Sequence, residues 1–435
     1  MRNGNTLANK LNRARIFTTA HTILWLLLVI FIYKNVMLPA LRSDKPFGIY
    51  QNNGVTTIID FPSHFNFTKK VWLSRPHLNA DGSVYSINNH LNATSNWAGT
   101  KINYSLPFGY SPTMLWLLAP LVLFTHEAAF CLFNLAGLWS IWWQTRPSRC
   151  RLGVGLLTYF SSLSFACLQL GQTALLSGAG LLYLAENNQH EHSGGAGLRN
   201  ALYSGTVLWL LTAKPPLALT AGAVLLSLRK WQPILVALIF TIVMSFIISP
   251  LLGAGWIHDY WTMIKTYDLV RADPVYAWSL VPAHMANLRG ILNIDFHVAD
   301  NLASRLSLIM WLFSLLWMIT AGAKLKLQEA AYWALGILFY LLFCPHVSST
   351  EELQLVLLLP LCIPVMQEKL TRRELALFAL IPLLPFMSPA VGPLFLDIRW
   401  GLLSAKLFLV FFIVYHYWGS RALNAETLTG KLMTI

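Results

Sequence analysis

"SPTMLWLLAPLVLF" occupies residues 111–124, and whether it crosses a membrane decides how the rest of the chain is threaded. The run is apolar but only about 14 residues long, whereas a span needs roughly 20. Runs of about 10–14 residues more often lie at an interface or re-enter it. Pro112 and Pro120 bracket this one. Its neighbours supply a second criterion. The first apolar stretch, "FTTAHTILWLLLVIFIYKNVML" (17–38), follows Arg2, Lys10, Arg13 and Arg15, so its N-terminal side is cytoplasmic. If 111–124 also crossed, a helix at 127–144 would carry Arg146, Arg149 and Arg151 outside. Every later basic loop would be inverted with them: Arg229/Lys230, Lys324/Lys326 and Lys369/Arg372/Arg373. Read as a helix lying at the outer face, 111–124 restores the positive-inside pattern throughout.

Residues 1–435 then form one all-α polytopic membrane domain of about twelve transmembrane helices, with both termini inside. The expected spans are 17–38, 127–144, 152–169, 171–185, 200–213, 215–228, 231–252, 305–322, 329–343, 353–366, 374–390 and 401–418. The first is too long for a cleaved leader and reads as a retained signal anchor. Two long segments fall outside, 39–126 and 253–304. Composition agrees: 56% of residues are hydrophobic and 11% charged, against about 25% charged in soluble domains. The net charge of +13 sits largely in short loops. It therefore reads as a topology signal and not as a nucleic-acid surface. Cys131, Cys150, Cys167, Cys344 and Cys362 are scattered without CxxC spacing, so neither a disulfide framework nor a metal site is expected. "ENNQHEHSGGAGLR" (186–199) reads as a flexible cytoplasmic connector, and its histidines match no common metal spacing. No GxGxxG opens a helix and no Walker A motif occurs, so no nucleotide or other cofactor is implied.

Polar residues at the outer ends of spans carry the chemistry. Asp60, in "GVTTIIDFPSHF" (54–65), follows the first span in a chain where acids are scarce. Topology puts Gln172, Lys214, Arg289 and His346 on the same face. Polar groups at membrane depth are costly and usually face a cavity or a partner. Each also has a purely structural reading. Asp60 suits a helix start, with Pro62 in the first turn. Lys214 suits a snorkelling span end, and Arg289 an ion pair with an acid such as Asp295. His346 suits a satisfied interfacial histidine, and Gln172 suits helix–helix glue. His64 shares the Asp60 helical face as either an acceptor contact or a solvated histidine. Taken together, one acid with Lys, Arg and His makes a base beside a phosphate site. The cations bind phosphate through charge-assisted hydrogen bonds. An ionised carboxylate accepts the proton of an attacking sugar hydroxyl. Phosphate is a good leaving group, and cationic stabilisation replaces a general acid or a metal. A donor sugar on a lipid phosphate explains why such an enzyme sits in the bilayer.

At these residues the chain resembles the GT-C glycosyltransferases, and is most similar to glycosyltransferase family 87, with its polyprenyl-phosphate-mannose-dependent mannosyltransferases. The family's "DF" after the first span is matched by Asp60-Phe61. Its "YPP" start of a juxtamembrane helix is matched by Tyr110-Ser111-Pro112, with Ser in place of the first proline. Gly171-Gln172, Lys214-Pro215-Pro216 and Asn287-Leu288-Arg289-Gly290-Ile291-Leu292 match later motifs in the family's order. Cys344-Pro345-His346 with Leu358-Leu359-Pro360 matches a last one loosely. The resemblance implies a GT-C fold and Asp60 as catalytic base. It also implies Lys214, Arg289 and His346 as donor-phosphate contacts. Gln172, His64, Tyr110 and Asn287 are then candidate substrate contacts. The implied partners are a polyprenyl-phosphate sugar, a lipid-linked or glycan acceptor, and the inner-membrane bilayer, with the site on the extracytoplasmic face.

Two other classes fit parts of the pattern. A polysaccharide polymerase or ligase also has about twelve spans and large outer loops, but it acts on lipid diphosphates and needs no acid after the first span. A secondary transporter calls for paired half-repeats broken near midplane. The two long loops here are unequal and lie on one side.

Overall fold

The structure, a computed structural model, describes residues 2–42, 48–52, 55–58, 60–73, 85, 87–101, 109–145, 167–168, 171–187, 197–253, 255–270, 285–322, 329–347, 351–352, 354–355, 361, 403–404 and 406–414. The chain divides into two compact units. The first comprises Met1–Gly180, Trp209–Pro215 and Val236–Ser279; the second comprises Leu181–Leu208, Pro216–Leu235 and Leu280–Ile435.

The elements, in chain order, are mostly helical. α1 (Arg2–Ile32) runs through a π turn, Tyr33–Met37, into α2 (Leu38–Arg42). Strands β1 (Ile49–Asn52) and β2 (Val55–Ile58) form an antiparallel ribbon in which Ile49 faces Ile58 and Asn52 faces Val55. Then come α3 (Asp60–Leu73), α4 (Ile87–Ala98), α5 (Pro112–Leu118) and α6 (His126–Thr145). They are followed by α7 (Ala174–Asn187), α8 (Gly197–Leu211), α9 (Pro215–Ser227), α10 (Gln232–Leu252) and α11 (Trp256–Val270). The last are α12 (Leu288–Ile294), α13 (Asp300–Trp317) and α14 (Glu329–Phe343).

Among the described residues, three helices are long and apolar enough to cross a membrane: Thr18–Arg42, Gln232–Leu252 and Asp300–Thr320. A fourth span is available only if Pro112–Leu121 and His126–Gln144, bent by 106°, are taken together. The chain is thus predominantly helical with three to four membrane-crossing candidates, and the expected twelve is not reached among the described residues. The shortfall has a physical origin. The expected spans at 171–185, 200–213, 215–228 and 329–343 are helices of 14, 15, 13 and 15 residues. At about 1.5 Å per residue these fall short of a core about 30 Å thick. The turns at Gly171 and Thr212–Lys214 cut them. The spans at 152–169, 353–366 and 374–390 lie wholly or largely outside the described residues, and 401–418 is described as helix only at 403–404 and 406–414. The decisive stretch 111–124 holds α5 and a 3-10 turn, Ala119–Leu121, ten residues that alone are too short to cross.

In the first unit, α3 is the packed centre. Residues Phe61 to Thr68 are all buried. Phe61 meets Phe65, Phe130 and Phe133, with ring centroids 5.1–5.5 Å apart. Trp25 Nε1 donates to Leu138 O (3.0 Å), tying α1 to α6. Ser140 Oγ and Gln144 Nε2 both donate to Leu175 O, tying α6 to α7. In the second unit, α14 is buried from Ala330 to Leu342. Ser307 Oγ of α13 donates to its last carbonyl, Phe343 O (2.7 Å).

Candidate functional site

Asp60 is the first residue of α3. That position suits an acid, because a helix N-terminus carries partial positive charge. The side chains described begin with Phe61, and Phe61 defines the surroundings. Gly171 lies against it with φ +67°, and a Cβ added there would sit 2.3 Å from the Phe61 Cβ. Only glycine adopts that backbone freely and leaves that space. Two motifs 110 positions apart, Asp60-Phe61 and Gly171-Gln172, are therefore in direct contact.

The turn that Gly171 begins leads into α7. Gln172 N donates to Cys167 O (2.8 Å), and Ser177 N donates to Thr173 O (2.9 Å). Thr173 is thus the N-cap of α7. Both side chains are buried, Gln172 at 9% exposure and Thr173 at 3%.

One turn along α3, His64 is 6% exposed and meets the Tyr110 ring edge-on at 5.0 Å. The expectation of a solvated helix-face histidine is corrected: the packing of α3 on all sides buries that face. Tyr110 leads into Ser111, which caps α5 by accepting from Thr113 N (3.3 Å). Ser111 also donates from Oγ to Thr212 O (2.6 Å) and from N to Ala213 O (3.4 Å). Thr113 and Thr212 share a hydroxyl–hydroxyl bond of 2.7 Å. A proline at 111 would supply neither hydroxyl nor N–H, so the serine joins the Tyr110 motif to the turn that ends in Lys214. Lys214 is half-buried, and its amide donates to Leu211 O (3.0 Å) just before Pro215 opens α9.

In the second unit, two further motifs meet. Asn287 caps α12, its Oδ1 accepting from Gly290 N (3.0 Å), while its Nδ2 donates to Cys344 O (2.9 Å). Arg289 is wholly buried. Its fork engages Asp300 through Nε (2.8 Å) and Nη2 (2.5 Å), and Nη1 donates to Pro345 O (3.1 Å). The partner is Asp300 rather than Asp295, which is exposed. Arg289 thereby holds the Cys344–Pro345–His346 turn, on which His346 is half-buried. Burial pushes the Cys344 thiol well above its ordinary range, which keeps it neutral.

A buried ionic cluster lies in the same unit. Lys406 Nζ donates to Glu352 Oε1 (2.5 Å) and Ala286 O (2.7 Å), both charged side chains being 1% exposed. Tyr340 donates to the neighbouring Glu351. Nothing in local sequence pattern singles these out, since the partners lie 54 positions apart. Thr173 adjoins Gly171-Gln172 but carries no motif signal of its own. Comparison with protein-family models, with curated proteins and with solved structures finds no match to this chain.

Proposed function

We propose that this chain is an inverting glycosyltransferase of the GT-C type. It moves one sugar, a hexose such as mannose, from a polyprenyl monophosphate to a lipid-linked or glycan acceptor at the extracytoplasmic face. An acceptor hydroxyl attacks the anomeric carbon, and the bond from that carbon to the phosphate oxygen breaks. The phosphate leaves with the electron pair, and Asp60 takes the hydroxyl proton. The observation that carries this reading is the contact between Phe61 and Gly171. It fixes the Asp60 helix start against the Gln172 turn at a glycine that nothing larger fits. The His64–Tyr110 and Ser111–Thr212 contacts add the Tyr110 and Lys214 motifs to the same unit. Lys214 serves as a cation for the donor phosphate. In the second unit, Arg289 is committed to Asp300 and holds the turn that carries His346.

The test is sugar transfer by the purified chain from a polyprenyl-monophosphate hexose and from a polyprenyl-diphosphate hexose. Transfer from the monophosphate alone supports the reading. Transfer from the diphosphate alone overturns it in favour of a polymerase or ligase.

A further inference from the structure

The mouth of α7 holds two buried polar side chains that the fold itself does not use. Thr173 stands at the N-cap, where a threonine hydroxyl normally accepts from the N–H two or three residues on. Here Thr173 Oγ1 is sealed from solvent and has no hydrogen-bond partner among the described residues. Gln172, immediately before it, is nine-tenths buried and its carboxamide bonds to no described residue. Leaving such groups unsatisfied is costly. The first turn of α7 also contains no acidic residue to offset its positive end. The amides of Leu175 and Leu176 in that turn have no intrahelical acceptor. The turn is pinned by the Gly171–Phe61 contact, so these donors are held rigidly beside the start of α3.

A carboxamide N–H, a hydroxyl and helix-terminal amides form a donor set at the positive end of a 14-residue helix. That set matches an oxyanion, which offers only acceptors, better than a sugar hydroxyl, which needs both. We propose that Gln172, Thr173 and the first turn of α7 bind the phosphate oxygens of a phosphate ester. On the glycosyltransferase reading, on which the identity of that ester rests, this is the donor phosphate. It is then held by neutral donors and a helix end beside the catalytic base, and not by cations alone.

The experiment titrates the purified full chain in detergent with farnesyl phosphate, with farnesol and with inorganic phosphate, following heat and melting temperature. The wild type should prefer farnesyl phosphate to farnesol. Thr173→Val and Gln172→Leu should each weaken farnesyl phosphate binding by about tenfold or more, since each removes a hydrogen bond to a charged group. Farnesol binding should not change, and the melting temperature should hold or rise, because neither group bonds to a described residue. Thr173→Ser should restore affinity. Competition by inorganic phosphate marks a site for the oxyanion itself; retained loss in the variants without competition marks one for lipid phosphate. Unchanged farnesyl phosphate affinity in both variants, or a wild type indifferent to the phosphate, overturns the site. So does a fall in melting temperature with equal loss of farnesol binding. Transfer that survives in Thr173→Val with unchanged KM removes the site and leaves the transferase. Phosphate binding without any transfer does the reverse.

Discussion

Lys406 and Glu352 are opposite charges with almost no access to solvent, and their value is clearest when one is removed. Lys406→Met leaves Glu352 as an uncompensated buried carboxylate, which costs about 3–5 kcal/mol. Adding Glu352→Leu should recover most of that loss, because apolar pairs of similar volume replace buried ion pairs with little penalty. Reversible unfolding in mixed micelles measures both. Asp300→Asn probes Arg289 in the same way. It removes the partly exposed acid of a forked pair whose guanidinium is wholly buried, and should destabilise the second unit by about 2–3 kcal/mol. Asp60 stands out in the sequence as a candidate because acids are scarce and its place after the first apolar stretch is conspicuous. The Arg289 partner does not: Asp295 and Asp300 are equally acidic in sequence, and only the packing of α13 on α12 selects Asp300.

Among the elements, the α7 turn is the most sensitive. Gly171→Ala forces a side chain into a positive-φ backbone and into Phe61. Strain of that kind costs about 1–3 kcal/mol. On the proposed function, a shift of about 1 Å at Asp60 also lowers transfer on the order of a hundredfold. Gly222→Ala, inside α9 with open space around it, should instead hold stability or raise it by about 0.5–1 kcal/mol. Thermal melts of the two variants make the comparison. The Tyr85–Tyr260 contact has a pH signature. Tyr85 packs on Tyr260 of α11, with ring centroids 4.8 Å apart. Burial pushes Tyr260 up to about 12, and burial and the nearby Tyr260 push Tyr85 higher than its ordinary value. Both phenols favour the protonated form when folded. Their stabilisation is therefore complete below the ordinary tyrosine value of about 10 and is lost as pH rises through about 12. Phenolate absorbance during an alkaline titration should lag behind that of the unfolded chain. The β1–β2 ribbon was missed in a reading that gave only helices. Its signal was present, since Asn53-Gly54 separates the strands in sequence and Asn-Gly is the strongest short hairpin cue. Hydropathy windows tuned to spans pass over such a pair.

Among the described residues, hydropathy found every long apolar helix but overstated how many reach across a bilayer. Helix position follows apolar runs, whereas helix length depends on where turns fall. Gly171 and the Thr212–Lys214 turn are set by contacts with α3 and α5 that no local window contains. The motif order was legible at this scale; which motifs touch was not. Orientation can be tested directly. Thr125→Cys and Arg229→Cys, both at exposed positions, should label from opposite sides of a sealed vesicle with an impermeant maleimide. Labelling of both from one side contradicts the threading that puts 111–124 outside.

The central claim is that Asp60 is the base. The most direct measurement is turnover of a polyprenyl-monophosphate hexose by purified Asp60→Asn beside the wild type, with donor affinity and melting temperature followed in both. Asparagine keeps the shape and loses the proton acceptor. The expected result is transfer lowered by about 10²-fold or more, with donor affinity and stability nearly unchanged. Full activity in Asp60→Asn contradicts the assignment.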